Sequence, residues 1–386
     1  MEEKEQKVGI ADERETEESV EFVLGENIAT LTDAKTKRKA VRKKTLIYAL
    51  FIVVNAAVIV GMTLFEDRSG DIADGKKALA LLGQNPLYTV LALVAFFVVV
   101  MTDALVFRLL VNKINGTCKK GACLKASLLG RYFDRITPWA IGGEPFQILY
   151  LKKSGLQAGE ACAVTMARHA IRFFSTAIAV IALMAGFASR LHINVYVLVA
   201  AIISVCGGLV IPSFMLLCAF RPALGKKIAH GFVSFLHKLK IVKDKEKADK
   251  KIQNTVQEFL TGLKFLSANK SAIILISLGA LIELFAMTSV PFFVMKALGG
   301  ENIVYMDIFV MCLFVNYASS FAPTPGGAGI AELSFYAVFG SVIGGGLLFW
   351  AVLFWRICVF YIPVFVGFIV QTASTIRAIV RLKKQK

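Results

Sequence analysis

Two short stretches of this chain set ionisable and helix-breaking residues inside apolar surroundings: TPWAIGGEP at 137–145 and TPGGAGIAE at 324–332. Each holds Thr-Pro, a glycine pair and a glutamate, with Gly142, Gly143 and Glu144 in the first and Gly326, Gly327, Gly329 and Glu332 in the second. An arginine follows each glutamate at the same spacing, Arg168 lying 24 residues after Glu144 and Arg356 lying 24 after Glu332. Pro138, Pro323 and Pro325 break a helix, because proline lacks the N–H that an interior turn needs, and the glycines let the chain reverse and approach a ligand closely. A helix restarting near Gly143 or Gly327 exposes N–H groups of partial positive charge, which favour an anion such as a phosphate. Arginine matches phosphate geometry better than lysine does, and a glutamate can receive a cationic headgroup or a proton. Glu144, Arg168, Arg172, Glu332, Arg356 and the five glycines are therefore the candidate substrate-binding residues. The alternative is that the glutamates and arginines are buried ion pairs clamping each hairpin to the next span.

The depth of these groups argues that they have a task. If a span begins near 158, Arg168 lies about 15 Å in at 1.5 Å per residue, and Arg172 lies one turn further on the same face. A charge at that depth costs at least about 2.5–3.5 kcal/mol on insertion scales, so it should face a wet cavity or a partner. Glu283, about twelve residues into its own span by sequence count, reads either as a proton or cation site or as a hydrogen-bonded packing residue. Asp103 and Arg108 read as a local solvated pair, and His169 as a satisfied buried histidine. No HExxH, GxSxG or P-loop is present, and GGAGIAE is not a dinucleotide fingerprint following a strand. The seven cysteines form no CxxC pair, so they suggest neither a zinc site nor a disulfide framework. No catalytic residue, metal or cofactor is expected.

The elements that must position these residues follow from hydropathy. The 386 residues are 56% hydrophobic and their mean hydropathy is +0.66, far too apolar for a soluble domain. Residues 1–34 hold eleven acids against three bases and lack apolar periodicity, which reads as a disordered tail. KTKRKAVRKK at 35–44 follows, then an apolar run at 45–65. Further runs at 87–111, 158–189, 193–220, 271–297 and 346–375 are each long enough for one span. Residues 121–152 and 304–343 instead hold pairs of shorter apolar helices around the two motifs. Basic clusters at 35–44, 113–135, 221–270 and the RLKKQK end mark the cytoplasmic side. That orientation makes the first hairpin enter from the cytoplasm and the second from outside.

The expected fold is an all-α polytopic membrane protein with an inverted-topology repeat, two re-entrant hairpins, about six full spans, and both termini cytoplasmic. Its parts are a tail over 1–44, a first membrane half over 45–220 with its hairpin at 121–152, an amphipathic cytoplasmic insert over 221–270, and a second half over 271–380 with its hairpin at 304–343. The repeat is a skeleton of Thr, Pro, Gly, Glu and Arg, since Arg172 would align with Phe360 and Glu283 with Ala95.

With RYFDRITPWAIGGEPFQILYLKKSG and NYASSFAPTPGGAGIAELSFYAVFG in view, the sequence resembles the transmembrane region of the lysylphosphatidylglycerol synthase and flippase family over roughly 45–380. The resemblance implies a bacterial inner-membrane protein that moves or handles lipids, in some members aminoacylated phosphatidylglycerol linked to resistance against cationic peptides. By motif it implicates Pro138, Gly142, Gly143, Glu144, Pro323, Pro325, Gly326, Gly327, Gly329 and Glu332, with Arg168 and Arg356 behind them. The soluble domain in which the family's synthases carry out aminoacyl transfer does not follow the last span here, so a flippase-like lipid transporter is expected over a lysyltransferase. The alternatives are a phosphatidylglycerol lysyltransferase, a membrane partner of a separately encoded synthase, and a regulatory scaffold. Membrane phospholipids are the expected partners, with a homo-oligomer or a separate synthase as further ones, and no nucleic acid.

Overall fold

The computed structural model of the chain describes residues 75–384 except for 188–194, 221–256 and positions 115, 120, 138, 139, 141, 258, 259, 262, 263, 265–267, 321, 323 and 344–346. The tail expected over 1–44, the span expected over 45–65, most of the insert expected over 221–270, and Pro138 and Pro323 lie outside the described residues.

Every element among the described residues is helical. In chain order they are α1 (Gly75–Gln84), α2 (Pro86–Lys113), α3 (Ala122–Ile136), α4 (Gly143–Lys153), α5 (Ala158–Phe187), α6 (Val195–Phe220), α7 (Lys270–Thr288), α8 (Val290–Ala297), α9 (Tyr305–Ser319), α10 (Ile330–Phe339), α11 (Leu347–Arg356) and α12 (Ile362–Lys384). Among the described residues, four stretches are long and apolar enough to cross a membrane: Pro86–Lys113, Ala158–Phe187, Lys270–Ala297 and Leu347–Ser374. They coincide with four of the runs expected from hydropathy, and α6 occupies the fifth. With 15, 11, 15 and 10 residues, α3, α4, α9 and α10 are each shorter than the roughly 20 residues that a bilayer crossing requires.

Two of the long stretches are not single uninterrupted α-helices. The third bends at Ser289, where Pro291 removes an N–H that would continue the ladder and Ser289 donates to the Phe285 carbonyl through both its N–H, at 3.0 Å, and its Oγ, at 2.6 Å. The fourth passes through a π-helical turn at Ile357–Tyr361 immediately after Arg356, an arrangement often found at functional sites.

Packing relies on small residues, as expected where lipid supplies no hydrophobic drive between helices. Along α5, Ala161, Ala163, Ala167 and Ala170 are buried. Two apolar clusters result. One joins α2, α3, α5 and α7 around Phe107, Leu110, Val164 and Ile276. The other gathers α8–α11 around Phe309, Phe314, Phe335 and Trp355.

Helix ends meet in an ordered way. Asn85 Nδ2 donates to the Ala297 carbonyl at 3.2 Å, joining the start of α2 to the end of α8. Lys113 Nζ donates to Ser271 Oγ at 2.6 Å, joining the opposite ends of α2 and α7. The α3–α4 pair starts and finishes at this second end, where Lys119 N–H donates to the Ser154 carbonyl at 2.9 Å. The α9–α10 pair starts at the first end, where Ser289 Oγ and Tyr305 Oη lie 2.7 Å apart.

Candidate functional site

The first hairpin turns because its local sequence leaves no better option. Thr137 is extended (φ −101°, ψ 145°), as the residue before a proline is biased to be. Its hydroxyl donates to the Phe133 carbonyl at 2.7 Å and accepts the Gly142 N–H at 3.0 Å. Asp134 Oδ1 then accepts the Gly143 N–H at 2.7 Å. A Cβ on Gly143 would sit 2.2 Å from that oxygen, so only glycine lets the carboxylate close on the helix start. The N-terminus of α4, expected from sequence to face a ligand anion, presents its first N–H to a carboxylate of its own chain.

The second turn reaches the same end by different bonds. Gly326 (φ 63°) and Gly327 (φ 68°) carry a short 3₁₀ turn at Pro325–Gly327 through left-handed backbone, and Thr324 Oγ1 donates to the Ala328 carbonyl at 2.7 Å. Glu332 Oε2 accepts the Gly329 N–H at 2.7 Å, while its Oε1 accepts from Arg356 Nε at 2.5 Å. Arg356 Nη1 also donates to the Gly326 carbonyl at 3.1 Å. The guanidinium lies against the rings of Trp355 and Phe360, 5.0 and 5.6 Å from their centroids. Glu332 and Arg356 are each only 6% exposed. Together they tie α10 and its turn to the last span, which is the clamp that sequence spacing allowed as one of two readings.

In the first half the corresponding contact slips by one residue. Glu144 Oε1 meets His169 Nδ1 at 2.7 Å rather than Arg168. Arg168 instead donates to Asp103 and, at 3.0 Å, to Gln147 Oε1, and stacks over Phe107. Asp103 is 1% exposed, so the expected solvated pair with Arg108 is replaced by a buried pair reaching across to α5. The reason is geometric: Asp103 is among the buried residues of α2, on the side that meets α3 and α5 rather than water. Glu283, the expected proton or cation site, accepts from Arg131 at 2.7 Å and from Arg172 at 3.1 Å. Arg131 also approaches Asp103 at 3.8 Å.

These contacts form one alternating row, Arg168–Asp103–Arg131–Glu283–Arg172, drawn from α2, α3, α5 and α7. Its three guanidiniums exceed its two carboxylates by one charge. Both ends are arginines, and the side chain of Arg172 is 32% exposed against 4% for Arg168, so the row is least enclosed at Arg172. The Glu144–His169 pair, with side chains 16% and 23% exposed, is more open than the Glu332–Arg356 clamp. Arg131, Asp134 and Gln147 were not singled out from sequence, although RYFDR, with basic residues four apart just before Thr-Pro, carried a signal for the first two. Among the described residues no three His, Cys, Asp or Glu side chains group as they would around a metal ion.

Sequence comparison gives these features a context. Residues 46–367 match the family described as "Lysylphosphatidylglycerol synthase TM region". The chain is similar to a UPF0104 membrane protein of Archaeoglobus fulgidus (strain ATCC 49558 / DSM 4304 / JCM 9628 / NBRC 100126 / VC-16), at 24% identity over 282 residues that cover 71% of this chain and 83% of that one. No solved structure matches it.

Proposed function

Because the chain belongs to the lysylphosphatidylglycerol synthase transmembrane-region family, we propose that it is a flippase-like transporter carrying a phospholipid headgroup across the bilayer, with an anionic or aminoacylated phospholipid such as lysylphosphatidylglycerol as cargo. The observation that carries this reading is the pair of short-helix hairpins, each bearing a glutamate in its second helix that is paired to the long helix following it, Glu144 to His169 and Glu332 to Arg356. A lipid headgroup crossing hydrocarbon needs polar partners at depth, and interrupted backbone is tolerated there only where it is buried in protein or lines a wet path.

The two hairpins divide the labour. Arg172 and Glu144, at the more open end of the charged row, offer a guanidinium for the phosphate and a carboxylate for an ammonium group. Glu332 and Arg356 hold the second turn in place. Inverted, re-entrant hairpins rearranging in alternation would carry the site from one face to the other. The ends at which the hairpins begin, one beside Lys113 and the other beside Ala297, support that arrangement.

The test is headgroup scrambling of fluorescent phosphatidylglycerol in proteoliposomes, comparing wild type with Glu144→Gln, Glu332→Gln and Arg356→Ala at equal folded yield. Movement in wild type that is lost in all three variants is expected. No movement of any anionic or zwitterionic lipid by correctly folded wild-type protein overturns the transport reading.

A further inference from the structure

Two cysteines that stand five apart in the sequence, too far for a CxxC reading, are neighbours in space. Cys118 and Cys123 are free thiols whose sulfurs lie 3.9 Å apart, in direct thiol–thiol contact. The turn between them brings this about. Gly121 takes left-handed backbone at φ 77°, which glycine adopts without strain, and the Ala122 N–H donates to the Lys119 carbonyl at 3.0 Å. The chain thereby folds back at the start of α3 and sets Cys118 beside its first turn.

The two thiols differ in access. Cys118 is half-buried between exposed Thr117 and exposed Lys119, whereas Cys123 is 7% exposed and belongs to the apolar cluster of Leu110, Leu151 and Leu156. The pair also sits where the two ends of the first hairpin are pinned together. The Lys119 N–H donates to the Ser154 carbonyl at 2.9 Å, and a Cβ on Gly155 would lie 3.1 Å from the Thr117 carbonyl oxygen. A cysteine that serves only as a small packing residue needs volume; that role does not bring one sulfur onto another. An accessible thiol with a sheltered one beside it is instead the arrangement of a redox pair, in which the first reacts with an oxidant and the second resolves the product.

We propose that Cys118 and Cys123 form a reversible redox modification site, a dithiol that a hydroperoxide converts to a disulfide across the base of the first hairpin. With hydrogen peroxide, the Cys118 thiolate attacks one oxygen, the O–O bond breaks, and hydroxide departs to be protonated to water. Cys118 is left as the sulfenic acid. Cys123 then gives up its thiol proton and its sulfur attacks that of Cys118; the S–O bond breaks and the oxygen leaves as a second water. Two thiols and one peroxide thus become one disulfide and two waters, with two electrons passing from sulfur to oxygen. A dithiol reductant reverses the step and is itself oxidised to a disulfide. The sulfurs need close only from 3.9 Å to about 2.0 Å, a movement that side-chain rotation at half-buried Cys118 supplies. A reversible bond of this kind is compatible with a reducing compartment, where disulfides are transient and redox-sensing. The site does not depend on what the protein carries.

The experiment treats the full chain in detergent with dilute hydrogen peroxide, alkylates it with N-ethylmaleimide and digests it with trypsin, which separates the two cysteines into peptides 114–119 and 121–125. Mass spectrometry should find these peptides joined, in protein that runs as a monomer on a non-reducing gel, and dithiothreitol should part them. Cys206, exposed on α6, should remain alkylated under the same treatment. In Cys123→Ser, dimedone should trap Cys118 as the sulfenic acid, and in Cys118→Ser it should leave Cys123 unlabelled. Cys118 and Cys123 oxidised without being joined, joined only between two chains, or both left unreacted by peroxide that oxidises Cys206, overturns the proposal. Dimedone labelling of Cys123 in Cys118→Ser overturns the order of attack. Should either serine variant not fold, the peptide map of the wild type decides by itself.

Discussion

At the scale of single residues, the charges in this protein differ in how deeply they are buried, and that difference decides how much each depends on its partner. Asp103 and Arg168 are 1% and 3% exposed, so each depends on the other for its solvation. Removing one partner of such a pair strands a buried charge and costs on the order of 3–5 kcal/mol. Arg168→Ala should therefore melt far lower than wild type in detergent, and Asp103→Asn combined with Arg168→Gln should recover a good part of the loss. Strict additivity of the two single changes in thermal melting would show that no coupling exists. The glutamates separate by the same logic. Glu332 is buried between Arg356 and the Gly329 N–H, whereas the Glu144–His169 pair is the more open of the two. Glu144→Gln should thus keep its melting temperature close to wild type while Glu332→Gln falls well below it; equal destabilisation by both would argue that Glu144 is a clamp too. The clamp of the second half was legible in sequence, because Glu332 and Arg356 stand 24 residues apart with few competing charges near them. The same spacing mispaired the first half. Asp103 and Gln147 arrive from other helices and take Arg168, leaving Glu144 to His169.

At the scale of elements, each turn holds because a glycine admits a neighbour that any side chain would exclude. A Cβ on Gly143 would come within 2.2 Å of Asp134 Oδ1, and one on Gly326 within 1.9 Å of the Phe360 ring. Gly326 has the added burden of a left-handed backbone at φ 63°, which costs a non-glycine residue roughly 1 kcal/mol or more. Gly143→Ala and Gly326→Ala should both lower folded yield and melting temperature. Gly83→Ala, on α1 with nothing within 4 Å of the added carbon, should be neutral or stabilising by about 0.5–1 kcal/mol. A Gly143→Ala protein as stable as wild type would mean that the Asp134 contact does not hold the turn. The breaks at both hairpins were readable from Thr-Pro and paired glycines, since those residues act through their own backbone. Two other features were not. The bend at Ser289 lies within an unbroken apolar run, where Pro291 reads as a tolerated span residue, and the π-helical turn at Ile357–Tyr361 has no composition of its own. The bend needs only the N–H that Pro291 lacks, but proline is tolerated in spans, so the sequence did not single it out.

At the scale of the whole molecule, the meeting of helix ends defines two faces. Asn85 and Ala297 mark one, Lys113 and Ser271 the other, and the basic residues Lys113, Lys119, Lys125, Lys152 and Lys153 lie at or beside the second. Positively charged ends are retained in the cytoplasm, so the Lys113 face should be inside and the loop after Ala297 outside. Hydropathy conveyed the positions of the spans because span length is a property of composition. How α3 comes to pack against both α12 and the Pro325–Gly327 turn was not conveyed, because it depends on small local fits such as Gly367, where an added Cβ would lie 2.3 Å from Tyr132. Orientation is open to a direct measurement. Thr117 and Glu301 are exposed at the two opposite faces, so in a variant stripped of its seven cysteines a single cysteine at either position reports its side. An impermeant maleimide added to intact cells should label Glu301→Cys and spare Thr117→Cys until the membrane is opened. The reverse pattern would invert the orientation and put the first hairpin's mouth outside. Labelling of both positions from one side would contradict the two-faced arrangement itself, and with it the opposed hairpins that the proposed alternating access requires.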